Sequence, residues 1–244
     1  IIVNYKKSVN IRNMINYFIF TPPMQYEIFS TQKRMIQWKT FMKLLVQLMF
    51  LYFMTAFILL QFILPEMLIL KNEINDNIVL LGIVFRIMLA ANLVWMVSMY
   101  LNVYETYLPA YAALCGLPQT FCKDWWNSET LTVFWRRWNL PVHNCLKYNV
   151  ALPLIRCGYS QSASNFIVFA VAGIIHEYLN TFPFGIYNGM AFVFTLLEIP
   201  AGYLNVCITK KFGNVYGNLF LWMYLIFTHC LAIISTFLFH VPHN

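Results

Sequence analysis

Of 244 residues, 60% are hydrophobic, 18% are aromatic and only 10% are charged, and the mean hydropathy is +0.62. A soluble domain carries about 25% charged residues, so this chain cannot coat a globule in water and lipid must be the solvent for much of it. The net charge of +7 does not point to nucleic acid, because the basic residues are distributed by topology rather than gathered in one patch.

The chain begins at Ile1 with neither an initiator Met nor a signal-peptide pattern, and it reads as part of a longer product. Residues 1–40 read as a cytosolic or interfacial segment and 41–244 as a membrane domain, giving an all-α, polytopic helical bundle. Five stretches are long and apolar enough to cross a bilayer, which takes about 20 helical residues: 41–64, 78–104, 165–182, 188–207 and 217–240. The first is free of charge from Leu44 to Leu64. The second carries Arg86 near one end, which predicts a tilted or snorkelling helix. The third and fourth are separated only by a turn around Pro183, Phe184 and Gly185, so they form a hairpin.

Thirteen of the sixteen Lys and Arg residues lie before the first span, between the second and third, or between the fourth and fifth. If the spans alternate, all thirteen share one side. The loop after the first span holds Lys71 together with Glu66, Glu73 and Asp76. The positive-inside rule then puts the amino terminus and residues 105–164 in the cytosol and the carboxyl terminus in the lumen.

Residues 105–164 are more than a linker. Trp125, Trp126, Trp135 and Trp138 are interleaved with Lys123, Arg136 and Arg137, a mixture expected at a membrane surface. Asn127 or Ser128 is the expected cap of a helix running to about Asn139, where Pro141 interferes. The six cysteines have no paired spacing and suggest neither a disulfide framework nor zinc. His176–Asn180 lacks the second histidine of a zinc-protease helix, and no glycine-rich phosphate loop or serine elbow is present.

Ionisable groups inside a span are costly and therefore mark candidate sites. His176 follows a ten-residue apolar run from Phe166 to Ile175 and is followed by Glu177. Shielded from water, a neutral imidazole there is placed to accept a proton from an alcohol. The structural alternative is a core histidine bonded to a neighbouring helix. At about 1.5 Å of rise per residue, Glu198 in the fourth span and His229 in the fifth fall at a depth similar to that of His176. The three are expected either to line one buried cavity or to form a polar network joining helices.

The run Phe121-Cys122-Lys123-Asp124-Trp125-Trp126-Asn127 resembles the Phe-Tyr-x-Asp-Trp-Trp-Asn signature of the diacylglycerol and sterol O-acyltransferase branch of the membrane-bound O-acyltransferase family. Trp138-Asn139 and Pro141-Val142-His143 match its following segment, and His176-Glu177-Tyr178-Leu179 is similar to its catalytic histidine block. Tyr17 to Pro23 also resembles a stretch these enzymes carry. The likeness is strongest over about 100–205. Asn127 to Thr132, Phe134-Trp135, Leu140 to His143 and Ile199-Pro200 look closer to the diacylglycerol type.

The resemblance implies an endoplasmic-reticulum membrane enzyme that moves a fatty acyl group from acyl-CoA, a substrate rather than a cofactor, to a lipid hydroxyl. Diacylglycerol is the favoured acceptor. A sterol or other long-chain alcohol is the alternative, and a non-catalytic transporter subunit or degenerate relative is the reading of a different class. His176 is implied as general base, Asn139 as a group near the thioester, and Glu177 as a group that orients the base or satisfies the cavity. The 121–127 run and Trp138 are implied to bind acyl-CoA, with Arg136, Arg137 and Lys147 as looser phosphate contacts. Glu198, His229 and His143 are implied as cavity-lining residues, and a homo-oligomer as the assembly. The chain departs from the branch at Cys122, where Tyr is usual, and at Glu198 and His229, where the diacylglycerol enzymes usually carry Gln.

Overall fold

Proline has no N–H, and its ring clashes with the carbonyl four residues back, so a long apolar helix must adapt wherever one occurs. Among the described residues this happens three times in the same way, whereas Pro200 lies inside the helix Met190–Phe212 without such a stretch. The runs beginning at Leu64, Leu108 and Leu152 each have proline as their second residue (Pro65, Pro109, Pro153), and each directly follows wider π-type turns, at Leu59–Ile63, Met96–Tyr107 and Lys147–Ala151. Widening the turn keeps each helix continuous where backbone groups must be satisfied internally.

The computed structural model describes Ile11 and residues 35–70, 77–116, 120–182, 185 and 187–240, without the side chains of Asn180, His229, Cys230, Ile233 and 236–240. Two long helices come first, α1 (Trp38–Leu70) and α2 (Asn77–Cys115). A three-residue 3₁₀ turn, Trp125–Asn127, leads into the short helices α3 (Leu131–Arg137), α4 (Leu140–Leu146) and α5 (Leu152–Arg156). Three further long helices follow: α6 (Gln161–Thr181), α7 (Met190–Phe212) and α8 (Asn214–His240). No strand occurs among the described residues, so the all-α expectation holds. The Tyr17–Pro23 stretch and the acidic part of the first loop, Glu73 and Asp76, lie outside the described residues.

Among the described residues four helices are long and apolar enough to cross a membrane: α1, α2, α6 over Gln161–Leu179, and α7. Only 17–22% of their most apolar stretches is buried within the protein, so most of that surface is left for lipid. The fifth expected span, 217–240, falls inside α8, a 27-residue helix outside those four. Helices α6 and α7 pack against each other as the expected hairpin; Pro183 and Phe184 of its expected turn lie outside the described residues.

Arg86 does not snorkel alone. Its Nε and Nη2 donate to the two carboxylate oxygens of Glu66 on α1, at 2.5 and 3.0 Å, and this fork neutralises the charge in place. The α1–α2–α8 junction is apolar, built from Met67, Ile83, Ile87, Ala91 and Ile234.

The short helices are attached to the α7–α8 end by polar contacts. Asn205 on α7 is fully buried; its Oδ1 accepts from the Leu131 N–H at 2.7 Å and its Nδ2 donates to the Gly217 carbonyl at 3.0 Å. Thr209 donates to the Glu129 carbonyl at 3.1 Å, and Asn218 donates to the Trp126 and Ser128 carbonyls at 3.0 and 2.8 Å. A Cβ at Gly217 would collide with Thr209 and the Glu129 carbonyl, so only glycine permits this approach. The expected helix cap moves as a result. Residues 124–130 are held against α7 and α8, so neither Asn127 nor Ser128 starts the helix; Thr130 does, accepting from the Val133 N–H at 3.3 Å. The helix also stops at Arg137, and Pro141 opens α4 instead of ending α3.

Replacing Asn205 with Ala strands the buried Leu131 N–H, a first-turn amide with no partner within its own helix, and removes the added contact to the Gly217 carbonyl. We expect it to cost about 1–3 kcal/mol, measured as a lowered thermal midpoint of the purified protein in detergent, with Asn205→Asp less damaging at the Leu131 contact.

Candidate functional site

Burial of aromatic rings organises one half of the site. Trp125 is 0% exposed and Phe121 is 2% exposed. Around Trp125 lie Trp95, Tyr100, Trp126, Phe134, Trp138 and Trp222, with ring centroids 5.0–5.9 Å away. Trp138 also stacks on Trp95 at 5.0 Å and meets Tyr104 edge-on at 4.9 Å. Such rings bury large areas and favour edge-to-face and offset geometry.

The residues expected at acyl-CoA differ in their exposure. Phe121 and Trp125 offer no surface to a ligand, because the cluster that fixes the segment encloses them. Trp138 and Cys122 are nearly closed off as well, at 7% and 9% exposed. Lys123, Asp124, Trp126 and Asn127 do lie exposed on the same segment. Arg137, expected as a phosphate contact, is turned back onto the chain, where it donates to the Asp124 and Asn127 carbonyls at 3.3 and 3.2 Å. Arg136 and Lys147 instead flank His143. Burial, with those two positive charges added, holds His143 below the ordinary histidine range, as desolvation and like charge both oppose an imidazolium.

Asn139 has a backbone that few residues adopt, at φ 46°, a left-handed conformation that Asn tolerates through local hydrogen bonds. It caps α4, its Oδ1 accepting from the Val142 N–H at 3.3 Å. Its own N–H donates to Cys122 Sγ at 3.4 Å. Cys122 therefore fills the family's tyrosine position as an acceptor beneath this turn. Burial pushes its thiol up to about 11, partly opposed by the Asn139 N–H.

The other half of the site lies on the α6–α7 hairpin. Helices α6 and α7 meet closely at Gly173, where a Cβ would lie 2.9 Å from the Phe192 ring and 3.3 Å from the Phe192 carbonyl oxygen. His176, one turn further along α6, is half-buried, and its Nδ1 lies 3.1 Å from the Thr195 hydroxyl. Thr195 is buried and donates to the Ala191 carbonyl at 2.8 Å.

Glu177, expected to orient the base or satisfy the cavity, has a defined place. Its Oε1 accepts from the Asn188 and Gly189 N–H groups at 3.1 and 2.8 Å, and its Oε2 from Ala191 and Phe192 at 3.0 and 3.3 Å. A carboxylate on the first amides of α7 satisfies donors that have no partner within the helix and suits the positive end of its dipole.

Glu198 lies one turn beyond Thr195, on the same face of α7. Its surroundings come from two other elements: the Trp135 indole of α3, turned toward the carboxylate without reaching hydrogen-bond geometry, and Tyr224 of α8. Among the described residues, Glu198 Oε2 and Trp135 Nε1 are both buried with no hydrogen-bond partner. His176 of α6 meets Thr195 of α7, three residues before Glu198, while the His229 side chain lies outside the described residues. An apolar crevice of about 260 Å³ opens between α2 and α8, lined by Leu89, Asn92, Trp95, Met96 and Trp222 among others. No cluster of three or more His, Cys, Asp or Glu suited to a metal occurs among the described residues.

Thr195, Gly173 and Asn205 were missed from sequence. A threonine or asparagine in an apolar helix is a possible interhelical contact. Thr195, three residues before Glu198, was the one such signal near the site.

The family profile of MBOAT, the membrane-bound O-acyltransferase family, matches residues 5–236. Diacylglycerol O-acyltransferase 1 of Bos taurus is 28% identical over 238 residues, covering 95% of this chain and 47% of the relative. The Homo sapiens protein of that name is 25% identical with the same coverage. Diacylglycerol O-acyltransferase 1-2 of Oryza sativa subsp. japonica is 27% identical over 213 residues, covering 86% of this chain and 44% of the relative. The chain spans about half the length of the curated relatives it matches.

Two measurements probe this geometry. Asn139→Ala removes a cap and puts Ala at a left-handed backbone, so we expect a loss of about 1–2 kcal/mol in denaturant unfolding, with Asn139→Gly losing less. Exposed Cys157 should react with a maleimide at neutral pH well before buried Cys122. The Cys122 thiol stays protonated until pH nears about 11, so its labelling rate should climb with pH as thiolate forms.

Proposed function

Because this chain belongs to the membrane-bound O-acyltransferase family, we propose that it carries the reaction centre of an acyl-CoA:diacylglycerol O-acyltransferase of the endoplasmic-reticulum membrane. The observation that carries the reading is His176: an imidazole on an apolar helix, half-buried and bonded across the hairpin, inside the segment similar to diacylglycerol O-acyltransferases 1. In this reading His176 takes the proton from the acceptor hydroxyl as its oxygen attacks the thioester carbonyl. The tetrahedral centre then collapses, the C–S bond breaks, and the imidazolium returns the proton to the departing thiolate, giving triacylglycerol and CoA.

Acyl-CoA approaches from the side bearing the exposed part of the 123–127 segment, and its phosphates meet Arg136 and Lys147 near His143. The basic residues support a cytosolic position for this surface and a lumenal carboxyl terminus. Asn139 supports the thioester end of the site chiefly by shaping the turn between α3 and α4, since its side-chain oxygen is engaged as a cap.

The test is triacylglycerol synthesis in microsomes containing the full-length protein. His176→Ala should lower the rate by about 10²–10⁴-fold, the usual contribution of a positioned base, without loss of the protein from the membrane. Normal synthesis by that variant would dismiss His176 as the base. Offering a sterol in competition reads the acceptor directly, and preferential sterol ester formation would overturn the choice of diacylglycerol.

A further inference from the structure

Two short contacts meet at the Thr195 hydroxyl, which has a single proton. The Ala191 carbonyl, 2.8 Å away, can only accept. His176 Nδ1, 3.1 Å away, either donates or accepts according to tautomer. If Nδ1 is bare, it and the carbonyl compete for one proton, and one contact becomes a clash of lone pairs. If Nδ1 carries hydrogen, the hydroxyl donates to Ala191 and accepts from the ring, and both contacts are hydrogen bonds.

Resting on the reading of His176 as base, we propose that Thr195 is a positioning residue that holds the His176 ring in its Nδ1–H tautomer, leaving Nε2 as the unprotonated nitrogen that takes the acceptor's proton. The contact survives the reaction. When Nε2 gains its proton, Nδ1–H goes on donating to Thr195, so neither the ring nor the hydroxyl has to turn. This is the role that a hydrogen bond on the second ring nitrogen plays wherever histidine must present one nitrogen selectively.

The surroundings are built to keep this contact aligned. Thr195 is 5% exposed, which keeps water from competing for its oxygen. Helix α7 is fixed against α6 at two other points: the Glu177 carboxylate takes four N–H groups at its start, and Phe192 lies against Gly173. Both flank Thr195 within the first turns of α7. Glu177 therefore acts on the base through the helix it caps rather than through the imidazole.

The full-length protein in membranes provides the test, with [¹⁵N]histidine labelling and the His176 signal assigned by its absence in His176→Gln. The expected wild-type spectrum has protonated Nδ1 and bare Nε2. Thr195→Val is nearly isosteric but accepts nothing. It should give mixed tautomers and lower kcat roughly tenfold to a hundredfold, a fraction of the effect of a wrong tautomer in triad hydrolases. KM for acyl-CoA should stay within about twofold, since ground-state binding is untouched. Thr195→Ser should restore both the spectrum and kcat. A bare Nδ1 in the wild type, or unchanged kcat and tautomer in Thr195→Val, overturns the assignment. If Thr195→Val is unaffected while His176→Ala is inactive, only the role of Thr195 fails; if His176→Ala is active, the catalytic reading fails with it.

Discussion

A backbone amide facing hydrocarbon without a partner costs several kcal/mol, and the first amides of every helix lack one within the helix. At the α6–α7 hairpin four backbone amides at and just before the start of α7, those of Asn188, Gly189, Ala191 and Phe192, converge on one carboxylate, Glu177. The contact does two things. It lets α7 begin beside α6 within the membrane domain, and it fixes where the next residues of α7 fall relative to α6. Thr195 comes to His176 because α7 starts where Glu177 holds it, and Gly173 lets the helices approach closely enough for the bond to form.

The signature segment is held by the opposite kind of chemistry. Its aromatic residues form one packed cluster centred on Trp125, and its backbone carbonyls are gripped by Asn218, Thr209 and the Trp222 indole. The motif residues divide accordingly. Phe121, Trp125 and Trp138 build the wall, while Lys123, Asp124, Trp126 and Asn127 are its exposed part. Cys122 and Asn139 link the two ends of the segment, the thiol sulfur accepting from the amide at the start of α4.

Glu198 lies between these two halves. It is on the face of α7 that carries Thr195, and its neighbours Trp135 and Tyr224 come from the segment and from α8. The three proline-linked π-type stretches have a related function on a larger scale. They let α1, α2 and the α4–α5 run stay continuous while the helix path adjusts, and the longest, Met96–Tyr107, places Tyr100 and Tyr104 against the tryptophan cluster.

From the amino-acid sequence alone came the long apolar runs, the hairpin of the third and fourth spans and the all-α class, and it singled out His176 as a candidate. These follow from local chemistry: a run of some twenty apolar residues has few alternatives to a membrane helix, and an imidazole within one is costly unless used. Side-chain partnership could not be read in this way. Whether Thr195 bonds only its own helix or also a neighbour depends on the rotation of α7, which Glu177 and Gly173 set from another helix. Whether a tryptophan in a motif faces ligand or core depends on what packs over it, and Trp95 and Trp222, which cover Trp125, are distant in the chain. The pairing of Arg86 was not legible because Glu66 is twenty residues away on another helix. Periodicity and composition report what a segment can bury, whereas the tertiary structure decides against which atoms it is buried, because that choice rests on contacts between residues far apart in sequence.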